Sequence, residues 1–198
     1  MLHDIAQPIL ERMRELEALD AGDRVDGTSY FERLRQIPPD TGRFLCLLAS
    51  GAPPGRWLEI GTSAGYSALW LSLACRATGQ TLTTVEVNPV KAAAARETFS
   101  RAGVNDVVGL IEGDARDVLP RLDRVGFCFL DSEKADYADL YELVVPNLVP
   151  GGLLVADNTT SHEGALAAFV ARALSDDRGD ALNVPLDRGV LVFRKDGR

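Results

Sequence analysis

Two groups of polar residues stand at the ends of apolar runs, where an open α/β sheet presents its ligands. The first begins in R-W-L-E-I-G-T-S-A-G-Y-S, from Arg56 to Ser67. A short apolar run (Trp57, Leu58, Ile60) carries a carboxylate, Glu59, one residue before its end, then passes into a turn bracketed by Gly61 and Gly65. Glycine supplies the positive φ and the close backbone approach of such a turn. A strand that turns through glycines into a helix is the front of a nucleotide-type site. A bare βα turn has the same outline, but a purely structural strand gains nothing from Glu59. Glu86 ends the run T-T-V-E, 21 residues beyond Gly65, where an acid takes both ribose hydroxyls of a nucleoside. Asp114, in E-G-D-A, either holds an adenine amino group or caps the helix that follows. The loop reads G-T-S-A-G, with Glu59 where a dinucleotide fingerprint has glycine, so it lacks the approach that accommodates a pyrophosphate. Three carboxylates around one crevice repel a diphosphate. They suit a ligand bearing a sulfonium and an ammonium, which is the chemistry of S-adenosylmethionine.

The second group closes two later runs. Phe127-Cys128-Phe129-Leu130 ends in Asp131, and Leu153-Leu154-Val155-Ala156 ends in Asp157-Asn158. If these strands are parallel neighbours, Asp131, Asp157 and Asn158 emerge side by side at the carboxyl edge of the sheet. Two carboxylates and a carboxamide are hard oxygen donors suited to Mg²⁺, Mn²⁺ or Ca²⁺, with positions left for water or substrate oxygens. The competing arrangement is an Asx-type turn at Asp157-Asn158 and an ion pair between Asp131 and Lys134. Lys134 lies three residues past Asp131, within reach of the space above such an ion. A phenol has a pKa of about 10, so its nucleophilic anion is scarce at neutral pH. A divalent cation lowers that value, and a desolvated lysine can take the proton. The plainer role for Lys134 is an i,i+3 ion pair.

These residues need a scaffold, and the rest of the chain reads as one. From Arg56 onward strands and helices alternate: strand 56–60, helix 64–77, strand 81–87, helix 89–102, strand 107–112, helix 115–121, strand 125–131, helix 135–148, strand 151–156, helix 163–174. The runs 181–186 and 190–194 leave no room for a helix between them and predict an antiparallel hairpin. The expected fold is a doubly wound, Rossmann-like α/β sheet, mostly parallel, with helices on both faces. Residues 1–198 read as one domain, with 1–50 as a helical cover. Within that cover, Ile5, Ile9, Met13, Leu16 and Leu19 form a stripe that covers a sheet face, a dimer partner or the mouth of a site. Tyr30 to Arg35 reads as one or two helical turns, and Asp40-Thr41 as the cap of a helix through Phe44, Leu45, Leu47 and Leu48.

Composition narrows the class. The 198 residues are 46% hydrophobic and 25% charged, enough for one core. A net charge of −8 argues against a nucleic-acid binder held by phosphate contacts. Cys46, Cys75 and Cys128 lie far apart in apolar segments with no C-x-x-C, which reads as buried free thiols in a reducing compartment. The first residues carry charges throughout and no signal-peptide core, and no apolar run reaches the length of a membrane span. The expected location is the cytoplasm.

From Ile37 to Lys195 the chain resembles the class I S-adenosylmethionine-dependent methyltransferases. More narrowly it resembles the cation-dependent O-methyltransferases related to catechol and caffeoyl-CoA O-methyltransferases. The motifs are P-P-D-T-G-R-F-L, L-E-I-G-T-S-A-G-Y-S, T-V-E, E-G-D-A, F-L-D-S-E-K-A-D-Y and L-V-P-G-G-L-L-V-A-D-N. The resemblance implies cofactor contacts from Glu59, Gly61, Thr62, Ser63, Gly65, Ser67, Glu86, Val87, Asp114, Ala115 and Asp131. It implies a metal, Mg²⁺ first, on Asp131, Asp157 and Asn158, with Lys134 as the base and Asp131 beside it in the catalytic step. The implied acceptor is a vicinal dihydroxy-aromatic small molecule, and the implied assembly a homodimer. The segment T-T-S-H-E-G differs from the longer insertion of plant and animal relatives and is closer to a bacterial subgroup. Its His162 is either an extra acceptor contact or an ordinary polar residue opening a helix. The alternatives are a metal-independent methyltransferase of the same fold, a cofactor-binding protein without turnover, and a nicotinamide dehydrogenase.

Overall fold

The computed structural model describes residues 1–30 and 32–197. Two helices lead, α1 (Gln7–Asp23) and α2 (Pro39–Ser50). The alternating part follows as β1 (Arg56–Ile60), α3 (Tyr66–Thr78), β2 (Leu82–Glu86), α4 (Pro89–Ala102), β3 (Val108–Glu112) and α5 (Ala115–Val118). It continues through β4 (Val125–Leu130), α6 (Tyr137–Val144), β5 (Leu148–Ala156) and α7 (Glu163–Leu174), and closes with β6 (Gly179–Val184) and β7 (Val190–Lys195). The sheet order is β3-β2-β1-β4-β5-β7-β6. The first five strands run parallel, while β7 is antiparallel to both β5 and β6. The doubly wound sheet and its C-terminal hairpin are therefore as the alternation predicts.

Side-chain alternation along the central strands builds two cores. Trp57, Phe127, Phe129 and Val155 pack on the face covered by α1 to α4. Leu58, Ile60, Cys128, Leu130 and Leu154 pack on the face covered by α5 to α7. Strands buried on both faces read as continuous apolar runs, which is why Phe127 to Leu130 shows no polar position. The three cysteines are buried and free. Among the described residues no helix is long and apolar enough to cross a membrane.

Several expected boundaries shift for local reasons. The helix expected from 64 begins at Tyr66, because Ser63 (φ +47°) and Gly65 (φ +89°) hold left-handed backbone ahead of it. The helix expected over 135–148 is α6 flanked by single 3₁₀ turns at 134–136 and 145–147, and Pro146 removes a helical donor from the second. The helix expected over 115–121 likewise gives way after Val118 to a 3₁₀ turn holding Pro120. α2 starts at Pro39 without a side-chain cap, and Thr41 instead donates its backbone N–H (3.0 Å) and its hydroxyl (2.8 Å) to Asp187. Of the helical turns expected over Tyr30 to Arg35, Phe31 lies outside the described residues; Tyr30, Glu32 and Arg33 form turns and a bend, and Leu34 and Arg35 are irregular, with Arg35 at φ +51°. Of the α1 stripe, Ile9, Met13 and Leu16 are buried in the core with α3 and α4, while Leu19 is 55% exposed.

The strand ends are level. Ile60 pairs with Val85 on one side and Leu130 on the other, and Leu130 pairs with Ala156. The ladder runs one residue further, with Asp131 N donating to Ile60 O (2.9 Å) and Asp157 N to Leu130 O (3.2 Å). Gly61, Asp131 and Asp157 thus leave three adjacent strands in one row, about 4.8 Å from neighbour to neighbour. Gly61 has φ +98°, and a Cβ there would lie 2.1 Å from the carbonyl oxygen of Asp131. Gly79 also has positive φ (+75°) but has no atom within 4 Å of such a Cβ. Gly61→Ala should therefore cost clearly more than Gly79→Ala, whose penalty of about 1–2 kcal/mol is conformational alone. Urea unfolding of the two variants measures this; equal losses would mean that the Gly61–Asp131 approach is not a constraint.

Candidate active site

Beyond this row lies a cavity of about 380 Å³, floored by the carboxyl ends of the parallel strands and roofed by Arg24, Tyr30 and Leu34 to Ile37. It lies at the point where the chain, having run β1 to β3 one way, returns to β4 on the other side of β1, the place for ligands in such sheets. Gly61, Thr62, Ser63 and Ser67 line one wall, Glu86 and Val87 the next, and Asp114 and Ala115 the far end. Asp131, Lys134 and Asn158 line the opposite side. Gly65, Glu59 and Asp157 stand behind the surface rather than on it.

Glu86 is the hinge of the first wall. One carboxylate oxygen accepts from Ser63 N (2.8 Å) and the other from Asn88 N (2.8 Å), so the acid that ends β2 also shapes the glycine loop of β1. Each oxygen keeps a lone pair for a further donor. Asn88 caps α4, accepting from Val90 N at 2.9 Å. Asp114 caps α5 (2.8 Å from Arg116 N) and also faces the cavity, so the two roles read from sequence coexist in position.

Glu59 lies one layer deeper. It is fully buried, with Oε2 accepting from Thr84 Oγ1 (2.6 Å), and Thr84 in turn bonded to Thr62 Oγ1 (2.5 Å). Its Oε1 has no hydrogen-bond partner. Burial pushes its pKa up to about 7, against the Ser67 and Thr84 hydroxyls that draw it down. Asp131 and Glu86 add to the rise. A buried carboxylate with one oxygen unsatisfied carries a desolvation cost that a nearby positive charge would offset.

On the opposite side the expected trio comes together. Asn158 Nδ2 donates to Asp131 Oδ1 (2.8 Å) and to Asp157 Oδ2 (3.0 Å), so one amide bridges both carboxylates. Asn158 holds left-handed backbone (φ +68°), a conformation asparagine tolerates better than most residues. Asp157 Oδ1 is buried without a partner. Burial, then the charge of Asp131, raises the Asp157 pKa. Lys134 Nζ donates to Asp131 Oδ1 (2.9 Å), Ser132 O (3.0 Å) and the Tyr137 hydroxyl (3.0 Å). The ion pair weighed as the plainer role of Lys134 is thus present. Tyr137, which has no assigned role in the sequence reading, donates to the backbone oxygen of Asp157 (3.1 Å) and links both strand ends. Its sequence signal is its place six residues beyond Asp131, at the end of the motif F-L-D-S-E-K-A-D-Y. His162 lines the cavity, opens α7, and holds Ser161 Oγ at 3.0 Å from Nδ1. Arg35, Lys91 and Arg188 also line the cavity, and nothing in the strand-end pattern points to them.

The donor set fits a hard divalent cation. An orphaned buried carboxylate oxygen, a second carboxylate and a carboxamide converge, and the amide offers its oxygen on a half-turn of the side chain. Among the described residues no three His, Cys, Asp or Glu side chains form a metal-binding group, so any such ion depends on the amide.

Glu59 and Asp157 both have folded pKa values above those of the unfolded chain. The stability their neutral forms contribute is complete below about pH 4 and lost as pH rises through the folded values, near 7 for Glu59. In EDTA, unfolding free energy should fall between pH 5 and 8. Glu59→Gln and Asp157→Asn should each flatten that fall by something on the order of 1–3 kcal/mol. Denaturant curves that keep the wild-type slope in both variants would contradict this.

The profile of the O-methyltransferase family matches residues 14–184. The chain is 37% identical over 127 residues to a catechol O-methyltransferase of Niastella koreensis, covering 62% of this chain and 57% of that one. It is 37% identical over 133 residues to a catechol O-methyltransferase of Mycobacterium tuberculosis, covering 66% and 60%. These matches span less than two thirds of either relative's length. The SAH-bound methyltransferase PaMTH1 of Podospora anserina superposes with a TM-score of 0.80 at 27% identity, over 97% of this chain and 89% of that one. With its sheet order and its crevice accounted for, this chain belongs to the O-methyltransferase family.

Proposed function

We propose that this protein moves a methyl group from S-adenosylmethionine to one hydroxyl of a catechol-like acceptor, assisted by a divalent cation, Mg²⁺ first. The observation that carries the reading is the bridge from Asp131 through Asn158 to the buried Asp157, with Asp131 and Asn158 on the wall opposite Glu86 in one cavity. The names of the two catechol O-methyltransferase relatives and the SAH in the Podospora structure support it.

In this reading S-adenosylmethionine supplies an electrophilic methyl on a sulfonium. Glu86 takes the ribose hydroxyls on its remaining lone pairs. Val87, 67% exposed beside it, offers an apolar surface to the adenine, and Asp114 and Ala115 meet the adenine edge. Ser63, Thr62 and Ser67 meet the amino-acid end, and Gly61 lets the chain pass close to it. Glu59 and Asp131 supply the negative field that favours the cationic cofactor over its neutral product. Asp131, Asp157 and Asn158 hold the divalent cation, which supplies Lewis acidity toward an acceptor oxygen. Lys134 takes the phenolic proton at Nζ. It does so as the neutral amine, after one of its three donated protons has left to solvent, the one directed at Asp131 being the one a cation on that carboxylate would displace. Holding nucleophile and methyl in line supplies much of the rate. The buried free thiols support a cytoplasmic location.

Turnover of catechols with S-adenosylmethionine should stop on addition of EDTA and return with Mg²⁺. Lys134→Ala should lower kcat by about 10²–10⁴-fold, the usual contribution of a positioned acid or base. Turnover indifferent to EDTA would favour a metal-independent methyltransferase on this fold. S-adenosylmethionine binding without turnover of any acceptor would favour a non-catalytic binding protein.

A further inference from the structure

The cavity carries positive charge that methyl transfer to a plain catechol does not use. Of the cations on its walls, Arg35 is bonded to Glu133 (2.5 Å), Arg24 to Asp20 (2.7 Å), Arg116 to Asp136 (2.5 Å) and Lys134 to Asp131 (2.9 Å). Two wall cations have side chains with no acid or other hydrogen-bond partner among the described residues: Lys91, at the start of α4 just past Glu86, and Arg188, half-buried on the side of Asn158. A partly desolvated guanidinium without an acceptor forgoes several charge-assisted bonds.

Its place is rigidly built. The preceding residue, Asp187, holds left-handed backbone (φ +49°) and accepts both donors of Thr41 on α2. The carbonyl of Arg188 accepts from Thr160 N (2.8 Å) and Ser161 N (2.9 Å), in the loop that leaves Asp157-Asn158. The following residue, Gly189 (φ +85°), lies so close to Thr160 that a Cβ there would be 2.1 Å from its hydroxyl. The β6–β7 turn is thus fastened to α2 on one side and to the metal-side loop on the other. Arg188 enters the cavity beside Ser161 and His162, on the side of Asn158 and away from Glu86. Burial, then the charge of Lys134, draws the His162 pKa below its ordinary value, with Asp131 opposing and Arg188 adding to the fall.

We infer that Arg188 is a specificity-determining residue that binds a carboxylate on the aromatic acceptor, so that the preferred substrates are dihydroxy-aromatic acids. The inference rests on the methyl-transfer reading of the same site. A planar guanidinium pairs a carboxylate through two parallel hydrogen bonds. An acceptor whose hydroxyls meet Asp131 and Asn158 has its far substituent to place, and Arg188 is the partnerless cation on that side of the cavity, Lys91 standing past Glu86 on the cofactor side.

The test compares 3,4-dihydroxybenzoate with its neutral isostere 3,4-dihydroxybenzamide in the wild type, Arg188→Gln and Arg188→Lys, with S-adenosylmethionine and Mg²⁺. Comparing the acid-to-amide ratio between enzymes cancels the intrinsic difference between the two phenols. Arg188→Gln should lower kcat/KM for the acid about tenfold more than for the amide, chiefly through KM, with Arg188→Lys between. Calorimetric titration of both compounds in the presence of S-adenosylhomocysteine and Mg²⁺ should show the same loss in affinity for the acid. Methylation of both compounds at a ratio unchanged in Arg188→Gln would overturn the inference and leave the methyl-transfer reading intact. Arg188-dependent binding of the acid without methylation of either compound would support the inference and overturn that reading.

Discussion

Parallel strands that end level force polar residues into close company. Backbone hydrogen bonds from Asp131 to Ile60 and from Asp157 to Leu130 fix both acids on adjacent strands, one residue past the paired core. No side-chain rotation separates them by much, because the ladder sets the spacing. Two carboxylates so placed repel, and burial raises the cost. The neighbouring residues answer that repulsion: Asn158 gives one hydrogen to each acid, Lys134 gives another to Asp131, and Tyr137 ties its hydroxyl to the strand end behind them. The result is a compact polar cluster that is stable enough to fold and still short of one positive charge.

The same tension recurs across the crevice. Glu59 lies under the glycine loop with one oxygen satisfied through Thr84 and the other without a partner. Glu86, nearer the surface, is engaged by two backbone amides that hold the loop in shape. A buried acid beneath the loop and an accessible acid at its rim divide the work, one setting the field and the other making contacts. Both depend on Gly61, whose backbone passes where a side chain would strike Asp131. The cradle and the paired acids are joined at that point, so the two halves of the site cannot be moved independently.

Much of this was legible in the sequence because strand ends are marked by composition. An apolar run that stops at Glu86, Asp131 or Asp157 reports both a strand and the edge at which it opens. The alternation of strands and helices then fixes which edge those ends share. What stayed hidden depends on tertiary contact. Arg35 reaches the cavity from an irregular segment whose sequence carries no periodicity, Lys91 reaches it from the first turn of α4, and Arg188 reaches it because Asp187 and Gly189 bend the hairpin turn against α2 and the metal-side loop. Tyr137 looks like a core aromatic and is one, yet its hydroxyl joins Lys134 to the backbone at Asp157. The stripe on α1 could be read from spacing, but not the surface that would cover it. α3 and α4 of the same chain cover its Ile9, Met13 and Leu16.

The central claim is that the carboxylates of two adjacent strands and one carboxamide share a cation. Mn²⁺ titration followed by electron paramagnetic resonance tests it without reference to any acceptor. One Mn²⁺ should bind per chain, be displaced by Mg²⁺, and be lost in Asp131→Ala and in Asp157→Ala with the fold retained by circular dichroism. Stoichiometric Mn²⁺ binding that survives both substitutions, or no binding to the folded wild type, would contradict the account.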